Sequence, residues 1–316
     1  MPRILFIKTS SLGDVIHHCP AVSDAARMLP GAEIDWVVEE GFAPIAAMHR
    51  AVHRVFPVAV RRWRAAPWRP AVWAEVAAFR RAVAAARYDF VIDSQGLLKS
   101  ALLALAARGV RHGYDASSAR EPLANHFYKV RHPVSRDLHA VVRNRALTGA
   151  ALGYAVQGPA EYGLGAGDEA PLDAGGRFCV LLTMTSRADK LWPEAYWSEL
   201  AQTLAARGIA SILPWGTDAE RERCARIARG VPTAVVPRRM SLEELARQMR
   251  HAGACIGVDT GLTHLAAALG VPALGIFCGS DPALTGLHGG ERVRNLGASG
   301  APPSVAEVGR ALEAFG

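Results

Sequence analysis

The chain has 316 residues, of which 50% are apolar and 21% are charged, a composition typical of a globular protein of roughly two domains. No apolar run approaches the ~20 residues of a transmembrane helix, and the first residues lack a signal-peptide pattern, so we expect a cytoplasmic protein. The five cysteines are scattered without a CxxC pair, which argues against a disulfide framework, a zinc ribbon or an iron–sulfur site.

The formal net charge of +7 is distributed unevenly along the chain. Residues 1–158 carry 21 Lys and Arg against 12 Asp and Glu, whereas residues 159–316 carry 15 against 17. A basic half beside a nearly neutral half suggests that the first half meets an anionic partner. Nucleic acid, a phosphorylated substrate and an anionic membrane surface all fit this charge. A genome that simply favours arginine codons fits it equally well.

The first half of the chain alternates predicted strands and helices. Short apolar runs at residues 3–8, 33–38 and 88–93 are typical of buried strands. Helices are predicted over residues 14–28 and 97–107. Strands separated by helices of this length predict βαβ units and a parallel sheet.

A segment rich in Gly, Pro, Ala and acidic residues follows at residues 156–176. It lacks periodicity and predicts a linker over residues 159–176, between an N-terminal domain (1–158) and a C-terminal domain (177–300). The second domain is expected to contain strands at 178–182, 210–214, 254–258 and 273–277, and helices at 194–206, 217–229, after Ser241, and at 261–269. We expect the last helix, within residues 301–316, to pack back on the N-terminal domain.

Two doubly wound, Rossmann-like α/β domains predict a ligand site in a cleft between them, because ligands bind outside the carboxyl ends of such strands. This rule singles out residues 9–14 and 259–264, each at a strand–loop–helix junction. The sequence lacks GxxxxGK[ST], HExxH and GxSxG motifs, and no GxGxxG follows a strand. The triplet Asp259-Thr260-Gly261 is similar to that of aspartic proteases, but it occurs once and leads into a helix.

The segment GVDTGLTHLAAALGVP (257–272) carries the strongest chemical signal. Thr260 and Gly261 stand where a helix begins, and the first-turn N–H groups of a helix lack intrahelical partners. Together with the helix dipole, these groups suit a diphosphate, and His264 follows over the same helix end. The alternative is a buried helix that uses Asp259 only as its N-cap.

Two further side chains are candidates for chemistry. Lys190 is the only lysine after residue 158, and its compact ammonium suits a phosphate oxygen; Thr185 and Ser186 add hydroxyl donors nearby. The alternative is a solvated loop lysine. Asp14 closes KTSSLGD, where a carboxylate can act as a general base or as an ordinary helix-capping group. The residues alone slightly favour the cap.

Three segments taken together carry a resemblance to a known family. In this order and spacing, KTSSLGDVIHHCPA (8–21), DSQGLLKSA (93–101) and GVDTGLTHLAAALGVP resemble the ADP-heptose:lipopolysaccharide heptosyltransferases, closest to the heptosyltransferase I type, over essentially the whole chain. The resemblance implies a GT-B fold with an N-terminal acceptor domain and a C-terminal donor domain. It also implies inverting transfer of heptose from ADP-L-glycero-β-D-manno-heptose to the Kdo of Kdo₂-lipid A, with no cofactor and no metal.

The resemblance also implies roles for individual residues. The base falls on Asp14, which would take the proton of the attacking Kdo hydroxyl, and Lys190 would meet the charge on the departing ADP. On the donor side we expect Thr185, Ser186, Glu220, Met240, Asp259, Thr260, Gly261, Leu262 and His264. On the acceptor side we expect Ser11, Gly13, Arg61, Arg62, Arg64, Lys99, Arg120, His139 and Arg143.

Arginines and tryptophans interleave over residues 61–73, a mixture that suits an anionic headgroup interface. Together with the lipid acceptor that the resemblance implies, this mixture leads us to expect peripheral contact with the cytoplasmic face of the inner membrane; a surface loop with core tryptophans is the alternative. The sequence has no RRM, KH or zinc-finger pattern, so we expect no nucleic-acid partner. For the whole chain, one alternative is heptosyltransferase II or a later heptose enzyme, although KTSSLGD favours the first type. The other is a non-catalytic anion- or nucleotide-binding protein that has no need of Asp14.

Overall fold

The computed structural model describes residues 1–169, 172 and 176–315. It divides into two compact units, Met1–Leu164 and Gly165–Gly316. The division falls inside the predicted linker, of which residues 170, 171 and 173–175 lie outside the described residues. The beginning of that linker belongs to the first unit, because the N–H of Arg50 donates to the carbonyl of Gly163 at 3.0 Å.

The first unit is built on a parallel sheet of six strands in the order β3–β2–β1–β4–β5–β6. Its strands are β1 Arg3–Ile7, β2 Glu33–Glu39, β3 Val52–Val58, β4 Arg87–Asp93, β5 Arg108–Tyr114 and β6 Val130–His132. Its helices are α1 Leu12–Met28, α2 Ala43–Ala47, α3 Val60–Ala65, α4 Pro70–Ala84, α5 Leu98–Ala104 and α6 Ala140–Leu152.

The second unit repeats this plan with the order β12–β11–β10–β7–β8–β9. Its strands are β7 Phe178–Leu182, β8 Ala210–Ile212, β9 Ala234–Val235, β10 Ala254–Val258, β11 Ala273–Phe277 and β12 Val293–Gly297. Its helices are α7 Glu194–Ala206, α8 Asp218–Ala228, α9 Leu242–Arg250, α10 Gly261–Ala268, α11 Pro282–Thr285 and α12 Val305–Glu313.

Both sheets therefore have the strand order of a dinucleotide-binding fold, and the predicted doubly wound α/β class is confirmed. In the first sheet the order reverses between β1 and β4, which pair in register from Ile4 to Ile7. In the second it reverses between β7 and β10, with Leu182 opposite Gly257. At such a reversal the chains leave the two strands in opposite directions and open a crevice for ligands.

The central strands are buried on both faces, as parallel strands covered by helices on each side must be. Ile4, Leu5 and Phe6 of β1 have no exposed surface, and neither do Ile256 and Val258 of β10. These long apolar runs explain why the central strands were predicted.

The C-terminal helix α12 packs within the second unit, whereas the sequence analysis placed it against the first. Val305 and Val308 of α12 are buried in the same core cluster as Trp192 and Trp197, whose rings meet edge to face at 4.9 Å. The indole N–H of Trp192 donates to the carbonyl of Pro303 at 2.9 Å and holds the segment that enters α12.

Candidate functional site

In the second unit, the loops that follow β7 and β10 meet at the strand reversal and border a cavity of about 280 Å³. The hydroxyl of Thr185, in the loop after β7, donates to the backbone carbonyl of Asp259, in the loop after β10, at 3.1 Å. Several predicted donor residues line this cavity, namely Thr185, Ser186, Glu220, Met240, Thr260 and Leu262. The structure thus brings together side chains that are up to 77 positions apart in the sequence.

Asp259 lies beside this cavity as the centre of a buried polar cluster. Its Oδ2 accepts hydrogen bonds from Lys190 Nζ at 2.6 Å and from Ser280 Oγ at 2.5 Å. Its Oδ1 lies 3.4 Å from His264 Nε2. Burial alone would raise the pKa of the Asp259 carboxyl, but the hydrogen bonds from His264, Lys190 and Ser280 outweigh it and hold the pKa well below its usual value.

An ionised carboxylate only accepts hydrogen bonds, so the low pKa of Asp259 means that its two oxygens act as acceptors for the groups around it. It also means that Lys190 is held by an ion pair whose two side chains are 18% and 7% exposed. Lys190 is therefore a fixed cation beside the cavity, and the alternative of a solvated loop lysine is wrong. Ser280 was missed by the sequence analysis, because nothing in the sequence links it to Asp259.

The N-terminus of α10 opens directly after this cluster. Thr260 has the extended backbone of an N-cap and the helix begins at Gly261, so the alternative in which Asp259 is the N-cap is wrong. The first turn of α10 lies close to β10, the strand that precedes it, because residue 257 is a glycine. A Cβ added there would lie 2.2 Å from the Oγ1 of Thr263, which itself donates to the carbonyl of Val258 at 2.7 Å.

The far side of the cavity carries an aromatic ring that the sequence analysis missed. Trp215 follows β8, lines the cavity and is anchored by a 2.7 Å hydrogen bond from its indole N–H to the carbonyl of Pro237. Glu220 also has a local role, because its Oε2 accepts from the N–H groups of Gly216 at 2.7 Å and Thr217 at 3.1 Å. A capping carboxylate retains further acceptor positions for a ligand.

In the first unit, the loop after β1 carries Asp14 in a helix-capping arrangement. Asp14 Oδ2 accepts from the backbone N–H of Ser11 at 2.8 Å, and the Nη1 of Arg120 is 3.7 Å from the same oxygen. The Asp14 side chain is 22% exposed. The capping interpretation is confirmed, because the carboxylate caps α1 through one oxygen. The role of general base stays a prediction, which the partial exposure of the carboxylate permits. Gly13 is the second residue of α1.

The neighbouring loop after β4 fixes the path of the chain before Asp14. Gln95 Oε1 accepts from the N–H groups of Thr9 at 3.0 Å and Ser10 at 3.2 Å, and Lys99 Nζ donates to Ser10 Oγ at 2.9 Å. In the described part of the chain, the buried Gln95 Nε2 and Thr9 Oγ1 have no hydrogen-bond partner.

Lys8 lies next to this loop, and the sequence reasoning did not single it out. Its Nζ donates to the carbonyl of Ser94 at 2.9 Å and lies 3.4 Å from Asn144 Oδ1. Burial lowers the pKa of Lys8 to about 8, with the charge of Asp14 acting in the opposite direction. The sequence feature that could have identified Lys8 is its position as a lysine at the end of an apolar strand.

The remaining acceptor-side residues fall into different environments. Arg143 donates to the carbonyl of Ser118 at 2.8 Å and stacks over the ring of Tyr114 at 4.9 Å. His139 is the N-cap of α6 and accepts from the N–H of Val141 at 3.2 Å. Arg120 lies beside the candidate base, with its Nη1 3.7 Å from Asp14 Oδ2.

The arginines of α3 are not an equivalent set. The guanidinium of Arg62 pairs with Glu40 at 3.0 Å and with Glu75 at 2.9 Å. Arg61 and Arg64 are exposed, and Arg64 shares a groove with Lys99. The cluster of Arg61, Arg62 and Arg64 is therefore an exposed basic surface in which the guanidinium of Arg62 is already paired.

Across residues 1–169, 172 and 176–315, no group of three or more His, Cys, Asp or Glu side chains is arranged to hold a metal ion. Within the same ranges, no helix has the length and apolar character needed to cross a bilayer.

Comparison with known proteins gives consistent matches. Residues 76–310 match the family described as glycosyltransferase family 9 (heptosyltransferase). The chain is 49% identical over 293 residues to lipopolysaccharide heptosyltransferase 1 of Pseudomonas aeruginosa, covering 92% of this chain and 82% of that protein. Its fold matches E. coli heptosyltransferase WaaC with ADP at a TM-score of 0.92 and 43% identity, covering 99% and 100% of the two chains. For the same enzyme with ADP-2-deoxy-2-fluoro heptose, the TM-score is 0.86 at 43% identity, with 99% and 98% covered.

Proposed function

Because the chain belongs to glycosyltransferase family 9, the heptosyltransferases, we propose that it moves L-glycero-D-manno-heptose from ADP-heptose to the Kdo of Kdo₂-lipid A. The family resemblance and the GT-B architecture expected from the sequence are confirmed. The Pseudomonas relative is named heptosyltransferase 1, which supports addition of the first heptose over the heptosyltransferase II alternative.

The observation that carries the donor half of this proposal is the cavity at the strand reversal of the second sheet. It combines an aromatic ring at Trp215, an apolar side chain at Met240 and an acid at Glu220, which suit an adenosine. The helix end at Gly261 and the ammonium of Lys190 suit the diphosphate. Asp259 holds Lys190 in place and is itself too strongly engaged to act as a base.

Asp14 is the proposed general base on the acceptor side. As the Kdo hydroxyl oxygen bonds to the anomeric carbon of heptose, its proton passes to Asp14. The bond from that carbon to the diphosphate oxygen breaks, and ADP leaves with the electron pair. Attack on the face opposite ADP inverts the anomeric configuration. Ser11 fixes one carboxylate oxygen, so the other is the proton acceptor.

The departing ADP gains negative charge, which fixed positive groups stabilise. Lys190 and the first-turn amides of α10 supply them, and each such preorganised donor commonly contributes about 10²–10³ in rate. Because this charge comes from the protein, we expect no metal requirement. Turnover should be unchanged in EDTA; loss on chelation with rescue by Mg²⁺ or Mn²⁺ would contradict this account of the leaving group.

The acceptor proposed here is a lipid, so we place the enzyme peripherally at the cytoplasmic face of the inner membrane. Exposed Arg61 and Arg64, with Trp68 and Trp73 that are 75% and 63% exposed, suit an anionic headgroup region.

The deciding experiment is incubation with ADP-heptose and Kdo₂-lipid A, followed by mass spectrometry of the lipid. We expect a gain of one heptose per lipid and release of one ADP. A parallel reaction offers an acceptor that already carries the first heptose, as heptosyltransferase II would require. Binding of ADP-heptose with no transfer to either acceptor would instead identify a non-catalytic binding protein.

A further inference from the structure

A wide apolar groove of about 620 Å³ crosses the surface of the first unit between α3, α4 and α5. This volume falls within the roughly 300–1,000 Å³ of typical ligand pockets. The groove lies entirely in residues 60–106 and is separate from the donor cavity of the second unit.

The walls of this groove carry large apolar side chains that are exposed to solvent. Trp73 of α4 is 63% exposed, Leu102 of α5 is 56% exposed and Leu105 beyond its end is 47% exposed. All three line the groove, as do the more sheltered Val76 and Leu103. Scattered apolar residues on a surface need no explanation, but a contiguous concave patch marks a binding site.

One lining residue links the groove to the loop that carries the candidate base. Lys99 lines the groove, and its Nζ donates to Ser10 Oγ at 2.9 Å, four residues before Asp14. Lys99 lies one helical turn before Leu102 and Leu103, so α5 leads from the polar loop to the apolar wall.

The charges around the groove select an anionic amphiphile. Its charged lining residues are Arg64, Arg80 and Lys99, and no acidic side chain lines it among the described residues. The nearby carboxylate of Glu75 is already engaged by Arg62 and by the indole of Trp63. A ligand with negative groups at one end and a hydrocarbon chain at the other matches this arrangement.

We propose that the groove holds an acyl chain of the acceptor lipid, with an anionic group of its head beside Lys99 and Arg64 and its sugar directed to Asp14. This inference rests on the proposed function. The proposed occupant is the acyl chain of the acceptor itself. Bulk membrane lipid is the alternative occupant, and the test below distinguishes the two.

The test compares two acceptors, acylated Kdo₂-lipid A in detergent and the fully deacylated Kdo₂-glucosamine disaccharide. In the double variant Leu102→Ser/Leu105→Ser, the KM for the acylated acceptor should rise about tenfold, the order expected from losing burial of a few methylenes. The KM for the deacylated acceptor and for ADP-heptose should not change. The matched control is Leu123→Ser, which alters a leucine that is 61% exposed in the same unit, outside the groove.

A second measurement uses the unmodified enzyme. An acceptor with a photoreactive diazirine near the end of one acyl chain should crosslink to peptides containing residues 72–79 and 102–106. Crosslinks elsewhere, or equal KM changes for both acceptors in the double variant, would overturn the proposal. So would a defect seen only on vesicles, accompanied by weaker binding to phosphatidylglycerol vesicles without acceptor, because bulk lipid would then be the occupant.

The two proposals fail in different ways. If the wild-type enzyme transfers heptose to neither acceptor, the proposed function is wrong. If it transfers heptose to both, and the double variant matches the wild type on both, the function stands and only the acyl groove is wrong.

Discussion

The two units share one strand order but use the acid at the strand reversal in opposite ways. In the second unit, Asp259 is 8% exposed and both of its oxygens face donors. In the first unit, Asp14 is 22% exposed at its side chain and is hydrogen-bonded to Ser11 through one oxygen. Asp259 anchors the ammonium of Lys190, whereas Asp14 stays partly exposed. The same scaffold therefore supplies a positioning acid in one unit and a candidate base in the other, and the loops alone make the difference.

The sharpest test of this contrast is Asp14→Ala. Loss of the base should lower kcat by at least about 10²-fold while the Kd for ADP stays unchanged. The matched control is Glu307→Ala, because Glu307 accepts from the N–H of Ser304 at 2.7 Å in the equivalent capping position of α12. If Asp14→Ala stays within about tenfold of wild type at equal fold stability, Asp14 is only a cap.

The complementary variant on the second unit is Lys190→Ala. Hydrogen bonds to charged groups contribute about 1.5–3 kcal/mol, so the Kd for ADP should rise by about tenfold or more, and kcat should fall as well. Calorimetry with ADP measures the first effect, with the exposed Lys129→Ala as a control of equal charge change. An unchanged Kd would place Lys190 outside the donor site.

The buried Lys8 makes the stability of the first unit depend on pH. Its pKa is about 8 in the folded chain and 10.5 in its ordinary state. The unfolded chain therefore binds more protons between these values, and stability rises as pH increases from about 8 to 10.5. The gain is of the order of 3 kcal/mol.

Urea unfolding at pH 7.5 and pH 10 tests this, using the difference between wild type and Lys8→Met to remove the contribution of other groups. The variant should lose the increase that the wild type shows. The same increase in both proteins would mean that Lys8 is not the titrating group.

The smallest effects are expected for the arginines of α3. Replacing Arg61, Arg62 and Arg64 with Ala together should raise the KM for the lipid acceptor and leave the Kd for ADP unchanged. Within the set, Arg64→Ala should exceed Arg62→Ala, because Arg62 is paired with Glu40 and Glu75. The loss should shrink with added salt, since screening acts over about 8 Å at physiological ionic strength. Equal losses for donor and acceptor would indicate damage to the fold.

The central strands could be predicted from the sequence because their burial on both faces leaves a continuous apolar run. The outer strands could not. β3 (VHRVFPV) and β5 (RGVRHGY) mix charged and apolar residues, and β9 has only two residues, so none of the three shows a continuous apolar run. The predicted start of α1 is wrong by two residues. Ser11 is its N-cap, so the helix begins at Leu12 and not at residue 14.

The site was predictable where a local rule applied and not where distant segments meet. The helix end at Gly261 follows from strand, glycine and helix in succession. The pair of Lys190 with Asp259 joins residues 69 positions apart, and no local pattern encodes it. Arg62 gives a second example. Its pairing with Glu40 and Glu75 depends on how α3 packs, so the run RRWR does not reveal it.

Gly257 gives the donor loop an unusual mutational sensitivity. With a side chain at this position, the new Cβ would lie 2.2 Å from Thr263 Oγ1 and 2.8 Å from Leu182 Cβ, and both neighbours are buried. Even alanine would force the first turn of α10 away from β10, and with it the amides that face the cavity. Gly257 thus sets the distance between the helix end and the sheet. The space beside its Cα holds a hydrogen atom but no methyl group. Residues of the cavity wall are therefore better positions than Gly257 for substitutions meant to change what the cavity binds.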